Sequence, residues 1–173
     1  AYEMIESIDT RLRNKIKTRE ELKKILRKKN KKVILCHGCF DIVHPGHIRH
    51  LKYAKSKAEI LIVSLTTDKF IAKGNFRPHI PENLRAENLA SLEIVDYVIL
   101  DNNKKPLNLI KFLKPNFFAK GFEYSKNDLP PATKEELRLV KSYGGNMIFT
   151  PGNVIYSSSE LLKLNRPKIL NER

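Results

Sequence analysis

The chain has no tryptophan, only two cysteines and only seven glycines among its 173 residues. Two cysteines cannot build a disulfide framework, so the fold must rest on a buried core, and the pattern suits a reducing, cytoplasmic setting. No apolar run approaches the roughly 20 residues that span a bilayer, and the first residues carry no signal-peptide pattern. A membrane partner is therefore not expected. Neither the GxxxxGK(S/T) phosphate loop nor the GxGxxG fingerprint is present, which argues against P-loop and ordinary NAD chemistry. Internal repeats are lacking too, and the one biased segment is a basic stretch near the start. With 41 % hydrophobic residues the composition is that of a globular chain, and the length fits one domain.

What the chain has in excess is positive charge, 33 Lys and Arg against 19 Asp and Glu, for a formal net charge of +14. Much of it is local. Residues 11–32 hold twelve basic side chains against Glu20 and Glu21 alone. Such a run can bind nucleic acid, but more often it is a solvated face, and the second reading is preferred. The moderately basic remainder suits a site that receives phosphate-bearing ligands.

Thr18 and Glu21 have capping-box spacing, and Leu22, Ile25 and Leu26 form a stripe, so a helix is predicted over residues 18–29. KKVILC then reads as a buried parallel strand. Pro45 fits the first position of a helix running to about Lys57, and EILIVSL is a second buried strand, which makes a right-handed βαβ unit. Further helices are predicted over 81–94, 106–113 and 133–142 and from near Ser157, with strands at 96–100, 116–121 and 146–150. The alternation predicts an α/β fold: a single open, mostly parallel, doubly wound sheet of five or six strands with helices on both faces. Residues 1–31 form a basic helical segment, 32–164 the main domain, and 165–173 a tail of the kind that links to another domain. The start at Ala1 rather than Met is also what a processed chain or one domain of a longer protein would show. Ligands of such sheets bind beyond the carboxyl ends of the strands. That puts the HGCFDIVHPGH loop, the segment after Leu65, Lys120-Gly121 and the loop before Ser157 on one rim.

His44-Pro45-Gly46-His47 is the strongest chemical signal. Pro45 starts the helix, so His44 sits near its N-cap, and the i, i+3 spacing places His47 on the same side. Free N–H groups and the positive dipole end favour anions there, and Gly46 lets phosphate oxygens approach the backbone. Two imidazole donors at such a place suit an α-phosphate under attack. A rival reading takes Cys36, Cys39, His44 and His47 as a zinc site. The histidine spacing is one short of the usual H-x3–5-H, and Cys36 lies within an apolar strand, so this reading is set aside.

HGCFDIVHPGHIRHL resembles the H-x-G-H signature of the cytidylyltransferase-like nucleotidyltransferase superfamily, in which a G-x-F-D segment precedes the two histidines. Gly38, Phe40, Asp41, His44, Gly46 and His47 match it. The resemblance extends over residues 32–164 through Lys73-Gly74, Arg77-Pro78, Arg85, Val95-Asp96, Lys120-Gly121, Tyr124 and Gly144-Gly145. It is nearest to the heptose-1-phosphate nucleotidyltransferase group, with Tyr156-Ser157-Ser158-Ser159 where that family has an I-S-S/T-T type segment. The resemblance implies a Rossmann-like fold and transfer of NMP from ATP or CTP to a phosphorylated small metabolite, with release of pyrophosphate and Mg²⁺ bridging the NTP phosphates. The expected acceptor is a sugar 1-phosphate such as heptose 1-phosphate; the alternative is CTP transfer to an alcohol phosphate or phosphonate. His44, His47, Lys73 and Lys120 are expected to be catalytic. Gly38, Cys39, Phe40, Gly46, Lys120, Gly121, Ser157, Ser158 and Ser159 are expected to hold the nucleotide, and Asp41, Asp68, Lys73, Arg77 and Arg85 the acceptor. No protein ligand to a metal is expected. A homodimer, and a fused or partner sugar kinase, are further implications of the resemblance.

Overall fold

The apolar runs on either side of the H-x-G-H loop become the two central strands of the sheet. A computed structural model describes residues 10–71, 74, 77–121 and 128–151. Strands β1 (Val33–Gly38), β2 (Ile60–Thr66), β3 (Tyr97–Asp101), β4 (Phe117–Lys120) and β5 (Asn146–Phe149) lie in the order β3-β2-β1-β4-β5. All four pairings are parallel. The described sheet therefore has five strands and is wholly parallel. Strands covered on both faces need apolar residues at successive positions, and Ile34, Leu35, Leu61, Ile62 and Val63 are all fully buried.

Among the described residues the α-helices are α1 (Thr10–Arg13), α2 (Arg19–Lys29), α3 (Pro45–Lys57), α4 (Glu82–Ala90), α5 (Leu107–Leu113) and α6 (Pro131–Ser142). Leu51 and Ala54 of α3, with Ala86, Leu89 and Ala90 of α4, pack with Ile34, Cys36, Leu61 and Val63 on one face. Leu22 of α2, Leu109, Ile110 and Leu113 of α5 and Val140 of α6 pack with Leu35, Ile62 and Phe118 on the other. The expected capping box of α2 is formed, Glu21 N–H donating to Thr18 Oγ1 at 3.2 Å and Thr18 N–H to Glu21 Oε2 at 3.4 Å.

Boundaries moved for local reasons. Helix α4 ends at Ala90, not 94, where the Ser91 hydroxyl turns back to the Glu87 carbonyl at 2.8 Å. Helix α6 starts earlier than expected, at Pro131, whose fixed φ suits a first helical position. Asp96 precedes β3 and acts as a peg, its carboxylate accepting from Leu61 N–H at 2.7 Å and from Lys55 at 2.6 Å.

Residues 15–17 were not expected to pair with the sheet. Ile16 bridges Val98 in parallel, with Lys17 N–H donating to Val98 O and Val98 N–H to Lys15 O, both at 2.9 Å. This strap covers part of the outer edge of β3, so the basic segment packs onto the domain through Ile16 and Leu22. From β1 the chain winds outward through β2 and β3, then returns to add β4 and β5 on the other side. The reversal opens a crevice between the carboxyl ends of β1 and β4, and the H-x-G-H loop leaves β1 there.

Candidate active site

The loop after β1 is shaped by a ring and a missing side chain. Phe40 takes the left-handed conformation (φ 48°) and buries its ring. A Cβ on Gly38 would meet that ring at 2.9 Å, so Gly38 is required for packing. Phe40 in turn backs His47, the ring centroids 4.9 Å apart, and His47 stacks on His44 at 3.8 Å with 23° between planes.

His44 is itself the N-cap of α3, its Nδ1 accepting the Gly46 N–H at 3.1 Å. The amide expected to meet phosphate is thus held by the histidine. A neutral ring that accepts at Nδ1 carries its proton on Nε2, a tautomer assigned from this hydrogen bond. Burial lowers the His44 pKa below the ordinary 6.5, so the ring is a neutral donor at pH 7. The expected pair of imidazoles is therefore brought together at the helix start, in contact.

The acidic and basic residues on the β2 side are mostly engaged with the protein. Asp41 is buried and accepts from His79 N–H at 3.0 Å, Ile80 N–H at 2.9 Å and Arg77 Nε at 2.6 Å. Burial alone would raise its pKa, but the two backbone donors and the guanidinium outweigh it and hold the carboxyl below its ordinary value. Arg85, fully buried, donates to the carbonyls of Cys39 at 2.8 Å, Thr66 at 2.9 Å and Ile80 at 2.9 Å, and pairs with Asp68 at 2.5 Å. Asp68 also accepts from Glu82 N–H at 3.3 Å. These groups tie together the loops that follow β1 and β2. Their observed contacts are with protein, whereas Arg77 Nη2 is buried without a hydrogen-bond partner among the described residues.

Replacing Asp41 by Asn is expected to destabilise the fold by roughly 2 kcal/mol at neutral pH, the scale for stranding buried donors. Because the folded pKa is depressed, the charge contribution is complete above the unfolded value of about 3.9. It is lost as pH falls through the lower folded value. Urea unfolding of wild type and Asp41→Asn should therefore differ at pH 7 and converge on acidification. A difference that persists unchanged in acid would contradict this account.

Across the crevice, Lys120 ends β4 and pairs with Glu136 of α6 at 3.0 Å. Its carbonyl accepts from Thr150 N–H at 2.9 Å, and Thr150 Oγ1 lies 2.8 Å from His50 Nδ1 on α3. His37, near the end of β1, has Nδ1 2.7 Å from Ser64 Oγ and Nε2 3.2 Å from Thr66 Oγ1. Burial, and then the charge of Lys120, push its pKa down to about 4, so it is neutral across the ordinary range. The sequence reading did not pick out His37, His50, Glu136 or Thr150. His50 stands three residues beyond His47, so spacing could have flagged it; Glu136 had no local signal at all.

Cys39 lies in the β1 loop with Phe40, and Gly121 follows Lys120 on the same rim. Lys73, Tyr124, Ser157, Ser158 and Ser159 lie outside the described residues. Burial raises the Cys36 thiol well above its ordinary range, which works against a metal thiolate there. Among the described residues no group of three or more His, Cys, Asp or Glu is arranged to hold a metal ion. No described helix is long and apolar enough to cross a membrane.

Residues 35–164 match a protein-family model described as cytidylyltransferase-like. Curated relatives include the bifunctional protein HldE of Campylobacter jejuni subsp. doylei, 46 % identical over 112 residues, covering 64 % of this chain and 24 % of the relative. The bifunctional protein HldE of Aliarcobacter butzleri is 40 % identical over 136 residues, covering 75 % of this chain and 29 % of the relative. The chain thus spans about a quarter of the length of the curated relatives it matches. Among solved structures, the lipopolysaccharide core biosynthesis protein of Thermoplasma volcanium superposes with a TM-score of 0.59 at 25 % identity, covering 71 % of this chain and 98 % of that one. Pantoate-beta-alanine ligase of Francisella tularensis shares the fold, with a TM-score of 0.56 at 19 % identity, covering 83 % of this chain and 68 % of that one.

Proposed function

The chain belongs to the cytidylyltransferase-like family of nucleotidyltransferases, and from that premise we propose that it moves NMP from ATP or CTP onto a phosphorylated small metabolite. The observation that carries the reading is the stacked His44–His47 pair at the start of α3, in the crevice where strand order reverses. An oxygen of the acceptor phosphate attacks the α-phosphorus in line. The new P–O bond forms as the bond to the β-phosphate oxygen breaks, and pyrophosphate leaves with that electron pair. His44 donates through Nε2 and His47 lies against it, so both reach the oxygens on which charge grows. Lys120 adds positive charge from the β4 side, Lys73 is assigned the same role, and no covalent enzyme intermediate is needed.

Mg²⁺ fits this site as a companion of the nucleotide. The groups facing the crevice are imidazoles and an ammonium, while the nearby Asp41 carboxylate is engaged with Arg77 and two amides. When bound, the ion neutralises triphosphate charge and leaves the protein to orient the α-phosphate. Ser157, Ser158 and Ser159 are assigned to the leaving pyrophosphate. Gly38, Cys39, Phe40, Gly46 and Gly121 are assigned to the nucleotide.

For the acceptor we favour a sugar 1-phosphate of the heptose type. Support comes from the relatives, bifunctional proteins named HldE, and from a neighbour named for lipopolysaccharide core biosynthesis. Arg77 Nη2, a buried donor at the edge of the site, is where an acceptor phosphate oxygen would bond. Asp41, Asp68 and Arg85 act on that ligand through the loops they hold. The alternative acceptor is an alcohol phosphate or phosphonate taking CMP. A fused or partner sugar kinase would supply the phosphorylated sugar, and a homodimer in the cytoplasm is the expected setting. A nucleic-acid-binding module is disfavoured because Ile16 and Leu22 of the basic segment are committed to packing.

Pyrophosphate release with Mg²⁺, testing each NTP against sugar 1-phosphates, polyol phosphates and phosphonates, decides among these. Turnover is expected with one nucleotide and sugar 1-phosphates. Turnover only with an alcohol phosphate would select the alternative acceptor. If no NTP binds at all, the transferase reading fails.

A further inference from the structure

Lys120 is held from several directions. Its ammonium lies 3.0 Å from Glu136 Oε2, an ion pair without hydrogen-bond geometry, and the two side chains are only 17 % and 7 % exposed. Glu136 belongs to the buried face of α6 with Thr133 and Val140, so the packing of that helix fixes where the carboxylate can reach. The backbone of Lys120 is also anchored, its carbonyl accepting from Thr150 N–H at 2.9 Å and Thr150 Oγ1 at 3.3 Å. Thr150 is linked in turn to His50 of α3, one turn beyond His47. The ammonium is close enough to His37, on the neighbouring strand, for its charge to act on that ring. It therefore sits where β1 and β4 part.

A buried ion pair is a poor source of net stability, because removing both charges from water offsets most of their attraction. A carboxylate kept there at that expense calls for another reason. We propose that Glu136 is a positioning residue for nucleotidyl transfer, holding the Lys120 ammonium at the mouth of the β1–β4 crevice where the triphosphate enters. The proposal rests on the transferase reading of this site. Glu136 itself touches no substrate. A lysine side chain has many rotamers, and one already held loses less freedom when it meets a phosphate. The pair also balances the lysine charge until the more highly charged ligand arrives.

The test is a cycle of wild type, Glu136→Gln, Lys120→Met and the double variant. Each is assayed for MgATP and MgCTP binding by calorimetry, for pyrophosphate release, and for thermal unfolding. Acetylation of Lys120 by acetic anhydride, followed by mass spectrometry, reads the contact without any turnover. Displacement of a reacting group by about 1 Å can cost on the order of a hundredfold in rate. Glu136→Gln, which keeps the size and an acceptor atom, should therefore lose roughly tenfold in kcat/KM. That loss should vanish in the Lys120→Met background, Glu136→Asp should recover part of it, and Lys120 should acetylate faster in Glu136→Gln than in wild type. Equal losses in both backgrounds, as a merely structural role gives, would overturn the proposal, as would an unchanged acetylation rate. Failure of the underlying reading looks different: wild type itself binds neither nucleotide and releases no pyrophosphate, and the proposal goes with it.

Discussion

His47→Ala should lower kcat by roughly two to three orders of magnitude, the scale for deleting one donor that meets charge developing in a transition state. The fold should survive. His47 is partly exposed and contributes ring contacts with Phe40 and His44. Such contacts are worth about 1 kcal/mol beyond area burial, a small part of a domain's stability. The two effects can be separated by running pyrophosphate release and thermal unfolding on the same preparation. Near-normal turnover in His47→Ala would remove the proposed mechanism. His44→Ala is a less clean probe, because His44 also caps α3 and loss of a cap adds about 1 kcal/mol of destabilisation. His44→Asn, which keeps a capping acceptor, is the better partner: it should retain stability and still lose activity.

Arg85→Ala is expected to be the most damaging single change to the fold, lowering the unfolding free energy by roughly 3–5 kcal/mol. The guanidinium is fully buried and satisfies three carbonyls, those of Cys39, Thr66 and Ile80, besides pairing with Asp68. Asp68 is partly exposed and can be rehydrated, so the larger share of the loss comes from stranded buried carbonyls. Arg85→Lys should rescue little, since one ammonium cannot reproduce the planar fork that serves several acceptors. Urea denaturation gives the number. A loss below about 1 kcal/mol, accompanied by a raised KM for the acceptor alone, would instead make Arg85 a direct acceptor contact.

The sheet and the histidine pair were legible in the sequence because their signals are local. VILC and ILIVSL are continuous apolar runs, Pro45 marks a helix start, and an i, i+3 spacing brings two rings together. Thr18 and Glu21 also announced their capping box. The strap at Lys15-Ile16-Lys17 was missed because two charges around one isoleucine read as part of a basic run. Only the waiting edge of β3 makes a strand of it. The support under the site was equally hidden. Asp41 meets Arg77 across 36 residues and Lys120 meets Glu136 across 16, distances that no periodic pattern spans. Arg85 was named as a contact to the acceptor. A guanidinium that joins the loops after β1 and β2 becomes visible only when those loops are placed.

The strap also bears on how copies of this chain can meet. An open strand edge is a template for another chain, whether in a dimer or in an aggregate. At Val98 the outward N–H and C=O are already occupied by Lys15 and Lys17, from the same molecule. A visiting strand would have to peel this segment away before it could extend the sheet past β3. The lysines on either side of Ile16 add mutual repulsion between two approaching copies. Self-association by strand addition is therefore discouraged at this edge.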